Sequence, residues 1–171
     1  MKSNFDECLR LVLKSEGGFV NDPRDPGGIT NHGCTKAVWE EWVCHPVTEQ
    51  AMRNLTQKDV APLFQKKYWD KIVGDRLPVG IDYCVFDAAI NSGPGRALKW
   101  LQACLEVEVD GVVGPATMKA LMAANPKTFI EDYCQRRLSF MTELKTWEAF
   151  GRGWTKRVYA VKDSASAMTT L

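Results

Sequence analysis

The apolar residues of this chain recur with a helical period almost from end to end, and a single stretch, residues 19–35, resists that reading. Phe5, Cys8, Leu9, Val12 and Leu13 follow i, i+3, i+4 spacing, which predicts an amphipathic helix over residues 4–15. Thr35, Thr48 and Thr56 stand where a side-chain oxygen would cap a following helix, opening "KAVWEEWVC", "EQAMRNL" and "QKDVAPLFQKKYW". Pro62 falls in or near the first turns of the last of these. "PVGIDYCVFDAAINSG" reads as a buried helix stopped at Gly93, and Pro94 and Pro115 suit first-turn positions of two more helices. Two long helical patterns follow, around "FIEDYCQRRLSFMTEL" and "WEAFGRGWTKRVYAVK", and the tail "DSASAMTTL" is expected to fray. The exceptional stretch carries Asn-Asp-Pro and Asp-Pro-Gly-Gly, which signal tight turns and a small hairpin. The fold class that follows is mainly α with a small β-hairpin.

A chain of 171 residues can bury a core without staples. Its formal net charge of +1 points to neither a nucleic-acid partner nor a membrane surface. No run of about 18 apolar residues is present, so no membrane insertion is expected. The N-terminal "MKSNFDECLR" has acids early and no apolar core of a secretory signal, which places synthesis in the cytoplasm, with delivery left to another component. The six cysteines, Cys8, Cys34, Cys44, Cys84, Cys104 and Cys134, are scattered without a C-x-x-C pair. Reduced, small apolar residues are the expectation, while the even count leaves disulfides open. His32, Cys34, Cys44 and His45 group metal-ligating residue types, but their spacing fits no standard zinc pattern. No metal or other cofactor is expected.

The stretch "KSEGGFVNDPRDPGGITNHG" ends a helix on Glu16. A carboxylate there faces the negative end of the helix dipole, which disfavours its ionised form. Gly17 and Gly18 remove side chains that would crowd a ligand, and the loop after them is expected to return Asp22 and Asp25 toward Glu16. One carboxyl that keeps its proton beside a second that is ionised is the equipment of glycosidic bond cleavage. Spacing alone favours a capped helix followed by a solvated turn.

"SEGGFVNDPRDPGGITNHGCT" closely resembles the signature of the glycoside hydrolase family 108 muramidases of phage endolysins and related bacterial proteins. The matching positions are Glu16, Gly17, Gly18, Phe19, Asn21, Pro23, Asp25, Gly27, Gly28, Thr30 and Gly33. Downstream, "DYCVFDAAINSGPGRALKWLQACLEVEVDGVVGPATMKAL" is similar to the C-terminal peptidoglycan-binding segment of that family. It carries the Leu-Gln and Asp-Gly-x-x-Gly-Pro-x-Thr elements at Leu101, Gln102, Asp110, Gly111, Gly114, Pro115 and Thr117. The two resemblances together run from about residue 5 to about residue 160.

The resemblance implies a lysozyme-like helical fold with a β-hairpin beside the active-site cleft. It implies a muramidase catalytic region over 1–91 and a helical peptidoglycan-binding region packed on it over 92–171. Glu16 matches the family's catalytic glutamate and becomes the general acid. Asp25 follows nine positions on as its partner, and Thr30 stands five after Asp25. Phe19 stands where many relatives have Tyr. Asn91 is a cleft candidate or a helix C-cap, and Asp110 holds a turn or contacts substrate. The implied reaction is hydrolysis of the β-1,4 bond between N-acetylmuramic acid and N-acetylglucosamine in bacterial peptidoglycan. A monomer is expected, acting at the extracytoplasmic wall after holin-dependent release or in protein export. A lytic transglycosylase and a non-catalytic peptidoglycan-binding module remain alternatives. The six tryptophans are expected in the core rather than on sugar rings.

Overall fold

The computed structural model describes residues 3–24 and 27–170. They are mainly helical, with one small sheet, and fall into two compact units: Phe5–Lys67, and residues 3–4 with 68–170.

The first unit opens with α1, Phe5–Glu16, whose predicted apolar stripe Phe5, Cys8, Leu9, Val12 and Leu13 is buried. Three short strands follow: β1 Val20–Asn21, β2 Ile29–Asn31 and β3 Cys34–Thr35. They pair antiparallel in the order β1-β2-β3, with Val20 opposite Thr30 and Asn31 opposite Cys34. The expected hairpin thus gains a third strand. The cause is the turn His32-Gly33, where both residues have positive φ, 49° and 69°. Two such residues make the mirror-image turn whose twist suits a two-residue hairpin.

Helices α2 (Lys36–Val43), α3 (Glu49–Arg53) and α4 (Gln57–Phe64) complete the first unit. The three threonines cap them as predicted. Thr35 Oγ1 accepts from Val38 N at 3.2 Å, Thr48 Oγ1 from Ala51 N at 3.0 Å, and Thr56 forms a capping box with Asp59. Pro62 lies inside α4, which runs on as a π-helical stretch over Gln65–Trp69. Helix α1 packs on α4 and β2 packs on α3.

The second unit is built around α5, Ile81–Ser92, in which every residue from Ile81 to Ala89 is buried. Helices α6 (Pro94–Leu105), α8 (Pro126–Thr142) and α9 (Trp147–Met168) surround it, and α7 (Pro115–Ala123) lies against α6. Pro94 and Pro115 take first-turn positions, as does Pro126. Residues 92–171 of the expected binding region therefore contribute α6, α8 and α9 as direct packing partners of α5. The fraying expected for "DSASAMTTL" is corrected: α9 continues to Met168 with Ala165 fully buried. A Cβ on Gly80 would lie 2.6 Å from the Ala165 carbonyl oxygen, so the tail is held by a close backbone approach that only a missing side chain permits.

Two buried carboxylates of this unit are paired in specific ways. The fully buried Asp87 meets Arg137 Nη1 at 2.6 Å and Arg157 Nη2 at 2.9 Å. Asp82 Oδ1 accepts from Gly80 N at 2.9 Å and Tyr83 N at 2.7 Å, while burial pushes its carboxyl up from the ordinary value. Trp69 packs edge-on against Phe86 with ring centroids 5.2 Å apart. Its Nε1 donates to Asp75 at 2.9 Å. Trp69 is buried, whereas Trp39, Trp42, Trp100, Trp147 and Trp154 are half-buried.

Candidate active site

Glu16 is the last residue of α1 and is half-buried. Gly17 follows with φ 80°, so the chain leaves the helix sharply, as the Glu-Gly-Gly sequence requires. The Glu16 side chain lies over the β2–β3 turn. A Cβ added to Gly33 would come 3.1 Å from Glu16 Cγ and 3.2 Å from Glu16 Cβ. Gly17 and Gly18 have open space where their side chains would be. The Glu16 side chain thus has bare backbone beside it at Gly33, and the two glycines that follow it add no side chains. That arrangement suits a group that hands a proton to a bulky ligand.

The loop after α1 is tied to α3. Phe19 lies under the Arg53 guanidinium, 4.1 Å from Cζ to ring centroid. Arg53 Nη2 donates to Glu49 Oε1 at 3.1 Å, and Asn21 Nδ2 donates to the same oxygen at 3.1 Å. A cation held over an aromatic face in this way contributes about 0.5–1 kcal/mol when exposed. Asn31 anchors the sheet from beneath. It is buried, and its Nδ2 donates to the carbonyls of Met52 at 2.8 Å and Arg53 at 3.3 Å. Thr30, next to Asn31 in β2, is half-buried and pairs with Val20 and Thr35.

Asp25 lies outside the described residues. Asp22 is committed locally: Oδ1 accepts from Arg24 N at 2.9 Å and Oδ2 meets Arg24 Nη2 at 3.0 Å. These hydrogen bonds hold its carboxyl below the ordinary value. The cluster of metal-ligating residue types is dispersed in environment. Cys34 is buried, and burial raises its thiol to about 11, whereas Cys44 and His45 are exposed at and beyond the end of α2. Among the described residues no group of three or more His, Cys, Asp or Glu side chains gathers as a metal site.

Asn91 and Asp110 belong to the second unit. Asn91 is exposed in the last turn of α5, and Gly93, not Asn91, caps that helix. Asp110 is exposed, in the loop between α6 and α7, and its carboxylate works in the turn. Oδ1 accepts from Gln102 Nε2 at 2.8 Å and from Val112 N at 2.9 Å, and these bonds lower its carboxyl below the usual range. The organiser of this loop is Gln102, which is buried. Its Oε1 accepts from Asp110 N at 3.0 Å and Gly111 N at 2.7 Å. Its Nε2 also donates to Val112 O at 2.9 Å and Thr117 Oγ1 at 3.3 Å. The Leu-Gln and Asp-Gly-x-x-Gly-Pro-x-Thr elements are therefore two halves of one hydrogen-bonded loop.

Sequence reasoning missed Arg53, Glu49 and Asn31. The first two sit four apart on a short helix, a spacing that signals an ion pair but not a partner ring. Asn31 in "ITNHG" carries only a turn signal.

Residues 9–93 match the family model for glycosyl hydrolase 108, and residues 96–159 match a predicted peptidoglycan domain. A search of curated protein sequences returns no match. Among solved structures, SagA from Brucella abortus is similar, with 38% sequence identity and a TM-score of 0.84 over 96% of this chain and 95% of that one. With a likeness of this extent added to the matched motif around Glu16, the chain belongs to the glycosyl hydrolase 108 family and is a glycoside hydrolase that acts on peptidoglycan.

Proposed function

We propose that the chain is an N-acetylmuramidase that hydrolyses the β-1,4 bond between N-acetylmuramic acid and N-acetylglucosamine. What supports this reading is Glu16, a helix-ending residue beside the bare backbone of Gly33, whose motif resembles the one around the family's catalytic glutamate. Glu16 gives its proton to the glycosidic oxygen as the bond to the anomeric carbon breaks. Asp25 acts as the ionised partner, through the attacking water or through the charge that develops on the sugar, with Thr30 at the same site. Water adds to the anomeric carbon and its proton leaves to a carboxylate, so the product ends in a free reducing sugar. Phe19, Asn91 and Asp110 serve as substrate contacts. Residues 1–91 form the catalytic region and residues 92–171 the helical peptidoglycan-binding region. A monomer acting at the wall fits either phage lysis, with holin-dependent release, or wall opening for export.

Mass spectrometry of digested cell walls tests the reading. Hydrolysis gives reducing N-acetylmuramic acid ends; a lytic transglycosylase gives 1,6-anhydro ends; a binding module gives no new ends. Glu16→Gln is expected to lower lysis of purified walls about 100- to 10,000-fold with an unchanged circular dichroism spectrum. Anhydro products, or substantial lysis by Glu16→Gln, would overturn the proposal.

A further inference from the structure

Cys84 on α5 and Cys134 on α8 face each other in the second unit with their Sγ atoms 3.9 Å apart. Both are buried, at 1% and 3% exposure. The two differ in access. Cys134 lines a groove of about 280 Å³ between α8 and α9, together with Glu131, Asp132, Gln135, Tyr159 and Lys162, whereas Cys84 does not line it. A third observation concerns charge. Arg137 follows Cys134 by three residues and so shares its side of α8. Arg137 is 1% exposed, and although Nη1 is bound to Asp87, its Nε and Nη2 have no hydrogen-bond partner. Arg157 also binds Asp87, so two buried or half-buried guanidiniums face one carboxylate. Arg137 thus keeps unused donors, and an anion beside them would be stabilised.

We propose that Cys134 and Cys84 form an exchange-active dithiol that closes to a disulfide tying α5 to α8, with Cys134 attacking through the groove and Cys84 resolving. The asymmetry of the two thiols fits these roles. The hydrogen bond with Cys84 and the charge of Arg137 bring the Cys134 thiol down against burial. Cys84 is pushed well up by that same pairing and by burial. The oxidant is a small disulfide such as oxidised glutathione. The Cys134 thiolate attacks one of its sulfurs and expels a glutathione thiolate. Cys84 then loses its proton and attacks the Cys134 sulfur, expelling the second glutathione. Two protein thiols are oxidised, one disulfide is reduced to two thiols, and the two protons pass to the departing thiolates. The bond would staple the core in oxidising surroundings and open in reducing ones.

The test uses the full chain carrying Cys44→Ser and Cys104→Ser, which removes the more accessible thiols. With excess oxidised glutathione and no denaturant, the expected result is the loss of two hydrogens in intact mass and a linked Cys84–Cys134 peptide. Tm should rise by roughly 5 °C or more, because a long loop is closed. Adding Cys84→Ser should leave a stable glutathione adduct on Cys134, while adding Cys134→Ser should leave Cys84 unmodified. Peptide mapping of the parent decides even if a variant misfolds: a reduced Cys84–Cys134 pair in the folded, oxidant-treated protein overturns the proposal. An adduct on Cys84 rather than Cys134 overturns the assigned order.

Discussion

Glu16 and Gly33 are in contact through space that a single methyl group would fill: a Cβ at Gly33 would lie 3.1 Å from Glu16 Cγ. Gly33 also has φ 69°, so an alanine there meets two penalties, a strained backbone and a push on the carboxyl. Gly28 has φ 63° and open space around the same position, which separates the two. Both Gly33→Ala and Gly28→Ala should lose about 1–2 kcal/mol of stability from the left-handed backbone. Gly33→Ala alone should lose a further ten- to hundredfold or so in wall lysis per folded molecule, since a small misplacement of an acid is costly. Urea titration and turbidity assays on the two variants check this, and equal losses in lysis would show that Glu16 tolerates the push.

Gln102 holds the loop between α6 and α7 through both ends of its amide. Gln102→Leu keeps most of the shape but leaves the N–H groups of Asp110 and Gly111 without their acceptor. Each polar group left unsatisfied costs about 1–3 kcal/mol where water cannot replace the partner. The variant should unfold at clearly lower urea, with hydrogen exchange faster over residues 106–114. Gln102→Glu should be worse above the carboxylate range and partly recover in acid, because its added oxygen would face the Asp110 carboxylate.

The difference between what could and could not be read beforehand follows from the range of the interactions. The caps at Thr35, Thr48 and Thr56 were legible because the side chain bonds a backbone N–H three residues on. The burial of α5 was legible because Ile81–Ala89 is apolar on every side of the helix except at Asp82 and Asp87. Asn31 was not, since its carbonyl partners Met52 and Arg53 are more than twenty residues away and any residue offers a carbonyl. Arg53 over Phe19 and Arg137 with Arg157 on Asp87 are farther apart still in sequence, so local periodicity is blind to them. The motif around Glu16 marked the position of the acid, but the contact with Gly33 depends on the turn at His32 and Gly33 closing against the helix end.

Asp87 links stability to pH. Burial pushes its carboxyl up, but the charges of Arg137 and Arg157 and their hydrogen bonds outweigh that and hold it below the usual carboxylate range. The unfolded chain, with an ordinary Asp near pH 3.9, binds the proton first as pH falls. The pair's contribution is therefore fully present above about pH 4–5 and is lost as pH drops through the lower, folded value. Asp87→Asn should flatten the acid limb of the stability curve. It should also lower stability at neutral pH by about 3–5 kcal/mol, because the Arg137 guanidinium keeps its burial without its counter-charge. Urea midpoints measured from pH 2 to 7 for both proteins read the slope and the offset separately.

The close approach of Gly80 and Ala165 turns a polar, small-residue tail into part of the core. Gly80 has φ 93°, and a Cβ there would lie 2.6 Å from the Ala165 carbonyl and 2.9 Å from Thr169 Cγ2. Gly80→Ala must strain the start of α5 and lift the end of α9, at a combined cost of about 2–4 kcal/mol. Deleting residues 163–171 acts on the other side of the same contact. It removes the buried Ala165 and uncovers Gly80, so Tm should fall by several degrees. It should also speed hydrogen exchange at the N-terminal end of α5, where Asp82 and Tyr83 are buried. Combining the deletion with Gly80→Ala should cost less than the sum of the two, since the methyl group then has no carbonyl to meet. A tail that frays would give the opposite pattern: no loss on deletion, and full additivity.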